Sequence, residues 1–240
     1  MASTRDLWLT SFPDDEIPAL PCPWYDRGNL RYVHKSLRVE ESDAARLAQQ
    51  DGDITPLDVT SLFSLFLKCG VGKCGCIVSV HGDADLKERD HWDHDEERFF
   101  YLLTPRGMFP APPLATIPPE TPEDIAQEIR IACQFFWVDL GSCANRLRIS
   151  VEKILDHLGS PQGRLFDRIA QFKANDPDHA DTFDALRYVG NVGSHEGAVK
   201  RDAILDAFEI YQDALAELFG RRSAKIAAMK QKLIQSKGKY

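Results

Sequence analysis

The chain lacks the roughly 18 consecutive apolar residues that a membrane-spanning helix needs. Its first residues, Met1-Ala2-Ser3-Thr4-Arg5-Asp6, lack a basic segment followed by an apolar one, which argues against a secretory signal and for a cytoplasmic protein. Neither a Gly-x-Ser-x-Gly elbow nor a Gly-x-x-x-x-Gly-Lys loop is present, so a serine hydrolase and a P-loop NTPase are disfavoured. Gly70-x-Gly72 lacks the rest of a dinucleotide fingerprint, and no internal repeat or low-complexity segment is visible. Basic residues are scarce outside the C-terminus. Residues 221–240 hold Arg221, Arg222, Lys225, Lys230, Lys232, Lys237 and Lys239 and no acid, which leaves 22 basic residues against 37 acidic ones, −15, in residues 1–220. A body that acidic repels nucleic acid on average, so any such binding has to use a local patch or the tail. The tail also reads as a solvated helix end.

What is present is enough apolar material, 43% of 240 residues, for one generous domain or a domain plus a small module. Residues 1–110 mix short apolar runs with turns and acidic loops. Cys76-Ile77-Val78-Ser79-Val80-His81 and Phe99-Phe100-Tyr101-Leu102-Leu103 read as strands. Asp83 to Glu97 holds eight acids and reads as a solvated loop, its His91-Trp92-Asp93-His94 as solvated rather than metal-binding. Seven prolines between 105 and 122 suggest an extended linker, placed at 111–121.

Residues 122–220 read as helices. Thr121 is expected to cap the first, with Ile125, Ile129, Ala132, Phe136 and Leu140 at helical spacing and Gly141 as its stop. Ser142 then caps a helix bearing Leu147, Val151, Ile154, Leu155 and Leu158. A third is expected over about 163–174, a fourth over about 180–189 that breaks at Gly190, and a fifth over about 200–219. Amphipathic helices joined by short loops bury their stripes best as a bundle, so the fold class is α+β: a mixed N-terminal module and an all-α C-terminal bundle.

Two stretches of the bundle carry chemistry. Leu186-Arg187-Tyr188-Val189-Gly190-Asn191-Val192-Gly193-Ser194-His195 places a fork-shaped phosphate binder and a group that exchanges protons near neutral pH around a glycine pair. Arg with His and no obvious metal set suffices for attack of an RNA 2′-hydroxyl on its neighbouring phosphate. In Asn145-Arg146-Leu147-Arg148-Ile149-Ser150-Val151-Glu152, Arg148 and Glu152 share a helix face. The bland reading stands beside this one: Gly190-Asn191 as a helix C-cap, Arg187 as a structural partner of Glu152, His195 as a loop or cap residue.

Ile117-Pro118-Pro119, the Leu147-Arg148…Val151-Glu152 helix and Arg187-x-x-Gly190-Asn191-x-x-x-His195, in that order, resemble the HEPN superfamily, closest to its bacterial branch of uncharacterised domains with an Arg-x-x-Gly-Asn-x-x-x-His signature. The resemblance covers about residues 115–220. It implies a helical bundle that dimerises, with Arg and His of both subunits facing a shared cleft. It also implies a metal-independent endoribonuclease in bacterial anti-phage defence, restriction or toxin–antitoxin systems, with RNA or a protein encoded nearby as partner. Carried over, Arg187 stabilises the phosphorane charge, His195 is the acid/base, Asn191 positions the phosphate, Arg148 binds substrate and Glu152 holds Arg187. More residues separate Arg187 from His195 than in catalytic members, and Tyr188 stands where those have a polar residue. The alternative reading is therefore a non-catalytic module that binds nucleotide or RNA, or only dimerises, as an accessory protein.

Six cysteines without a secretory signal suggest metal or free thiols over a disulfide frame. Cys69-Gly70-Val71-Gly72-Lys73-Cys74-Gly75-Cys76 resembles one knuckle of a zinc ribbon, and Cys22-Pro23-Trp24-Tyr25 with Gly28 the other, eroded because Tyr25 stands where a second Cys belongs. The ligand set is Cys22, Cys69 and Cys74, with Cys76 or His81 to supply a fourth; a metal-free relic is the alternative. Cys133 and Cys143 read as ordinary buried side chains.

Overall fold

The computed structural model describes Arg5, Trp8 and residues 11–25, 27–89, 98–195, 199–220 and 222–239, without the side chains of Ser194, His195, Arg222, Ser223 and Lys225. The fold is α+β, and the chain divides into two compact units, Met1–Pro113 and Leu114–Tyr240. Among the described residues, no helix is long and apolar enough to cross a membrane.

The first unit is built on β1 (Phe12–Pro13), β2 (Leu20–Pro21), β3 (Asn29–Tyr32), β4 (Arg38–Glu40), β5 (Thr60–Cys69), β6 (Ile77–Glu88) and β7 (Phe99–Phe109), with a short helix α1 (Asp43–Gln50). They form one antiparallel sheet in the order β1-β7-β6-β5-β3-β2, with β4 also on β5. The β5 sequence explains its place. Thr-Ser-Leu-Phe-Ser-Leu-Phe-Leu-Lys-Cys alternates with period two, burying Ser61, Phe63, Leu65, Leu67 and Cys69 and exposing the residues between. Each large side chain taken from water there contributes about 1.5–3 kcal/mol. This sheet is larger than a ribbon module.

Two expectations for this half are corrected. Asp83 to Glu88 belong to β6, where Asp83 pairs with Leu62 and Asp85 with Thr60, so the acidic segment is not loop throughout. Residues 90–97, including His91-Trp92-Asp93-His94, lie outside the described residues. Pro105 sits inside β7, opposite Gly82 and next to a register shift at His81/Gly82. The β1 pairing reaches Leu102 and Leu103, so the missing Pro105 donor interrupts no β1 ladder bond.

The second unit holds α2 (Glu123–Val138), α3 (Leu140–His157), α4 (Leu165–Phe172), α5 (Pro177–His195), α6 (Arg201–Leu218) and α7 (Arg222–Gln235). The α2, α3 and α6 stripes form the core: Ile125, Ile129 and Phe136, then Leu147, Val151 and Ile154, then Ile204, Phe208 and Leu215, all buried. Tyr211 Oη donates to Ser150 Oγ at 2.7 Å inside this core. Cys133 and Cys143 are buried.

The helix ends differ from expectation at three points. The α2/α3 break is made by Asp139, whose carboxylate accepts from Gly141 N–H at 2.9 Å and from Ser142 Oγ at 2.5 Å, so Gly141 and Ser142 lie inside α3. These bonds, led by the one from Ser142, hold the Asp139 carboxyl below its ordinary value. Thr121 caps nothing: α2 starts after Pro122, and Thr121 Oγ1 is buried without a hydrogen-bond partner. Helix α5 does not break at Gly190 but runs on to His195. A Cβ on Gly190 would lie 2.7 Å from Arg148 Cβ, and one on Gly193 would lie 2.9 Å from Gly141 O. The glycines serve close approach of α5 to α3, not helix termination.

Candidate functional site

The sheet topology gathers the cysteines. Cys22 follows β2 and opens a tight loop: its N–H donates to Gly28 O at 2.8 Å, and Gly28 N–H donates to Tyr25 O at 2.7 Å. β3 then pairs with β5, Leu30 opposite Cys69, which lays this loop beside the β5–β6 hairpin. There Cys69 N–H donates to Cys76 O at 2.8 Å and Cys74 N–H to Val71 O at 2.9 Å. Cys22, Cys69 and Cys74 end with their Sγ atoms within 4.8 Å of one another, the Cys22–Cys74 pair at 3.6 Å. Trp24 N–H points at Cys22 Sγ at 3.5 Å. Gly28 is a steric requirement of this cluster, since a Cβ there would lie 2.7 Å from Cys69 Sγ and 3.0 Å from Cys22 Cβ.

These three cysteines lie close enough to bind a metal. With Zn–S near 2.3 Å, tetrahedral thiolates sit about 3.8 Å apart, close to the Cys22–Cys74 separation. Burial pushes the Cys22 thiol up to about 12, while hydrogen bonding with the Cys76 backbone holds the Cys74 thiol below its ordinary value. Cys76 lies beside the trio but outside that 4.8 Å group, its Sγ 3.8 Å from Ile77 O. His81 does not join it: it is exposed and pairs across the sheet with Ser64 and Gly107. Cys74 and Cys76 line a hollow of about 410 Å³ with Trp24, Ile77, Phe109 and Pro110.

The signature residues of the bundle are arranged differently. Arg187 Nε donates to Asp184 Oδ1 at 2.7 Å, and the guanidinium lies 4.1 Å from the Tyr188 ring centroid and 5.3 Å from that of Phe166. The pair with Asp184, followed by the opposing effect of burial, leaves the Arg187 pKa raised, so its charge is permanent. Glu152 does not hold Arg187. It accepts from Arg148 Nη1 at 2.7 Å, and Arg148 Nε also donates to Asn145 Oδ1 at 3.2 Å. The reason is reach: Arg148 and Glu152 are one turn apart on α3, while Arg187 leans toward the N-terminus of α5, as helical side chains do. Asn191 is half-buried one turn past Arg187. His195 is the last residue of α5, and its side chain lies outside the described ones.

Sequence reasoning missed two features of this unit. Glu128, 10% exposed, accepts from Arg146 at 3.0 Å and from Lys153 at 2.8 Å. Burial raises its pKa, but the two cations outweigh that and leave the carboxyl below its ordinary value. Asp206, Glu209, Asp213 and Glu217, spaced along one face of α6, join Asp178 of α5 around a groove of about 760 Å³. That spacing was the available signal. Five carboxylates make the groove a poor seat for a phosphate backbone.

Residues 130–236 match the family model described as Domain of unknown function (DUF4145), and residues 10–106 match that of Domain of unknown function (DUF8608). No curated protein and no solved structure matches the chain.

Proposed function

We propose that the Leu114–Tyr240 unit is a HEPN-like bundle working as a non-catalytic module. It dimerises and binds RNA or a nucleotide, as an accessory protein of a bacterial defence, restriction or toxin–antitoxin system. The observation that supports this reading over RNA cleavage is the engagement of Arg187. Its Nε edge is taken by Asp184, three residues toward the helix N-terminus, and its plane lies against Tyr188 and Phe166. His195 follows eight positions later on the same unbroken helix, about 12 Å along the axis at 1.5 Å per residue. Within one subunit, a phosphate turned over by both groups needs each within about 3 Å of its reacting atoms. Arg187 leans the opposite way, and Glu152 is spent on Arg148. The Arg187 side chain is only 11% exposed, so a phosphate or a base would meet it at the narrow edge that Asp184, Tyr188 and Phe166 leave open.

Incubating the full chain with labelled RNA in EDTA tests this. Intact RNA with wild type, Arg187→Ala and His195→Ala alike, together with weaker RNA or nucleotide binding by Arg187→Ala, is the expected outcome. Cleavage by wild type alone, leaving cyclic phosphate ends, establishes the endoribonuclease reading instead.

The metal cluster supports a second assignment, for the other unit. Cys22, Cys69 and Cys74 hold a structural zinc ion, joining the loop after β2 to the β5–β6 hairpin. Bound zinc supplies a cross-link and charge neutralisation for the thiolates. The chain positions the thiols through Gly28 and the Cys69–Cys76 backbone bond. About one zinc per chain after dialysis is the expected result; metal-free protein overturns it.

A further inference from the structure

We propose that Cys76 is the fourth ligand of the cluster, replacing the cysteine that a second ribbon knuckle would carry at position 25. This rests on the three-thiol reading above and names the residue that closes the site.

The argument is one of register. β5 and β6 pair antiparallel with Lys68 opposite Ile77, and the next pair, linked by Cys69 N–H to Cys76 O at 2.8 Å, is Cys69 opposite Cys76. Residues directly opposite each other in an antiparallel pair point to the same face, with Cβ atoms about 4.5–5.5 Å apart. Burial on β6 agrees. Val78 and Val80 face inward with Cys69, so Cys76 belongs to that face, while Ile77 is 55% exposed on the other. Cys76 therefore leaves the backbone beside Cys69 on the side where Cys22 and Cys74 meet it.

The Cys76 Sγ rests 3.8 Å from Ile77 O, a contact a thiol gives up at little cost. Turning about the Cα–Cβ bond swings the sulfur without moving backbone. The competing donors do worse. Tyr25 is 44% exposed and carries a phenol in place of a soft sulfur ligand. His81 is an odd-numbered β6 residue, hence on the opposite face, and lies five residues along the strand, about 17 Å from Cys76. The site then draws one thiolate from the β2–β3 loop and three from the β5–β6 hairpin. Cys74 and Cys76 form its rim, where they line the hollow with Trp24, Ile77, Phe109 and Pro110.

Cobalt(II) titration of the full chain, read by sulfur-to-cobalt charge-transfer and ligand-field absorption and followed by zinc competition, tests the assignment. Wild type is expected to take one cobalt with a four-thiolate tetrahedral spectrum. Cys76→Ser is expected to lose charge-transfer intensity and bind at least about 100-fold more weakly, since even outer partners of a ligand are worth 10–100-fold. His81→Ala is expected to match wild type, and Tyr25→Cys in the Cys76→Ser chain to recover the four-thiolate spectrum. A Cys76→Ser spectrum and affinity equal to wild type, or loss in His81→Ala instead, overturns the proposal and leaves the three-thiol cluster standing. Absence of cobalt and zinc binding by wild type overturns both.

Discussion

Cys22, Cys69 and Cys74 are scattered over 53 positions of the first unit and finish within 4.8 Å of one another. Arg187 and His195 of the second unit are eight positions apart and are carried two turns apart along one helix. A sheet brings remote residues together because each strand pairing fixes a register across the chain. A long helix separates near neighbours by a fixed rise, whatever chemistry they share. Motif spacing therefore says little about proximity until the element carrying it is known.

The comparison is open to breaking, first through the charges of the helical unit. Glu128→Gln leaves Arg146 and Lys153, 37% and 30% exposed, facing a neutral amide, and about 2 kcal/mol of stability should go, measured by urea denaturation. The folded-state pKa of Glu128 is depressed. Its contribution is therefore complete above the ordinary glutamate value of 4.5 and is lost as pH falls through the lower folded value. The difference between wild type and Glu128→Gln should shrink with acidification; a constant gap would refute the pairing.

Gly28→Ala tests the sheet unit in the same way. The added methyl meets Cys69 Sγ and Cys22 Cβ, so overpacking of about 2 kcal/mol and a weakened metal site are expected, read by thermal unfolding and zinc content. Gly190→Ala sets a helix-propensity gain of about 1 kcal/mol against a clash with Arg148 Cβ. A net loss of about 1 kcal/mol in thermal unfolding is expected, and a gain would mean that α3 and α5 separate freely. An effect of the same size belongs to Tyr211→Phe, which removes one buried hydrogen bond to Ser150, about 1 kcal/mol. Ser150 Oγ retains Leu147 O as a partner, so the loss should not grow beyond that in a denaturant series.

The sequence carried the helices well where burial is periodic. Ile125, Ile129, Ala132 and Phe136 on α2, and Ile204, Phe208 and Leu215 on α6, follow 3.6-residue spacing because each helix buries one stripe. The strand with the clearest alternation is β5, whose five inward positions from Ser61 to Cys69 spell it out. Gly190 misled because glycine commonly ends helices. Here its missing side chain makes room for Arg148, a tertiary demand that no local pattern states. Glu152 misled for a related reason: pairing with Arg187 needs two helices to cooperate, while pairing with Arg148 needs only one turn of α3. Cysteine spacing named Cys22, Cys69, Cys74 and Cys76 as candidate metal ligands, with His81 as the alternative fourth, but the side on which Cys76 leaves its strand needed the β5–β6 register.

Since Gly190 and Gly193 interlock with Arg148, Ala144 and Gly141, that flank of α5 is sealed by its neighbour. The helix turns outward instead through Tyr188 and Val192, one turn apart, 59% and 36% exposed. On that outward flank a visitor meets an aromatic ring and a branched aliphatic. An apolar share of that kind is indifferent to salt, so raising ionic strength should loosen the contact less than it loosens one made by lysines on phosphates alone.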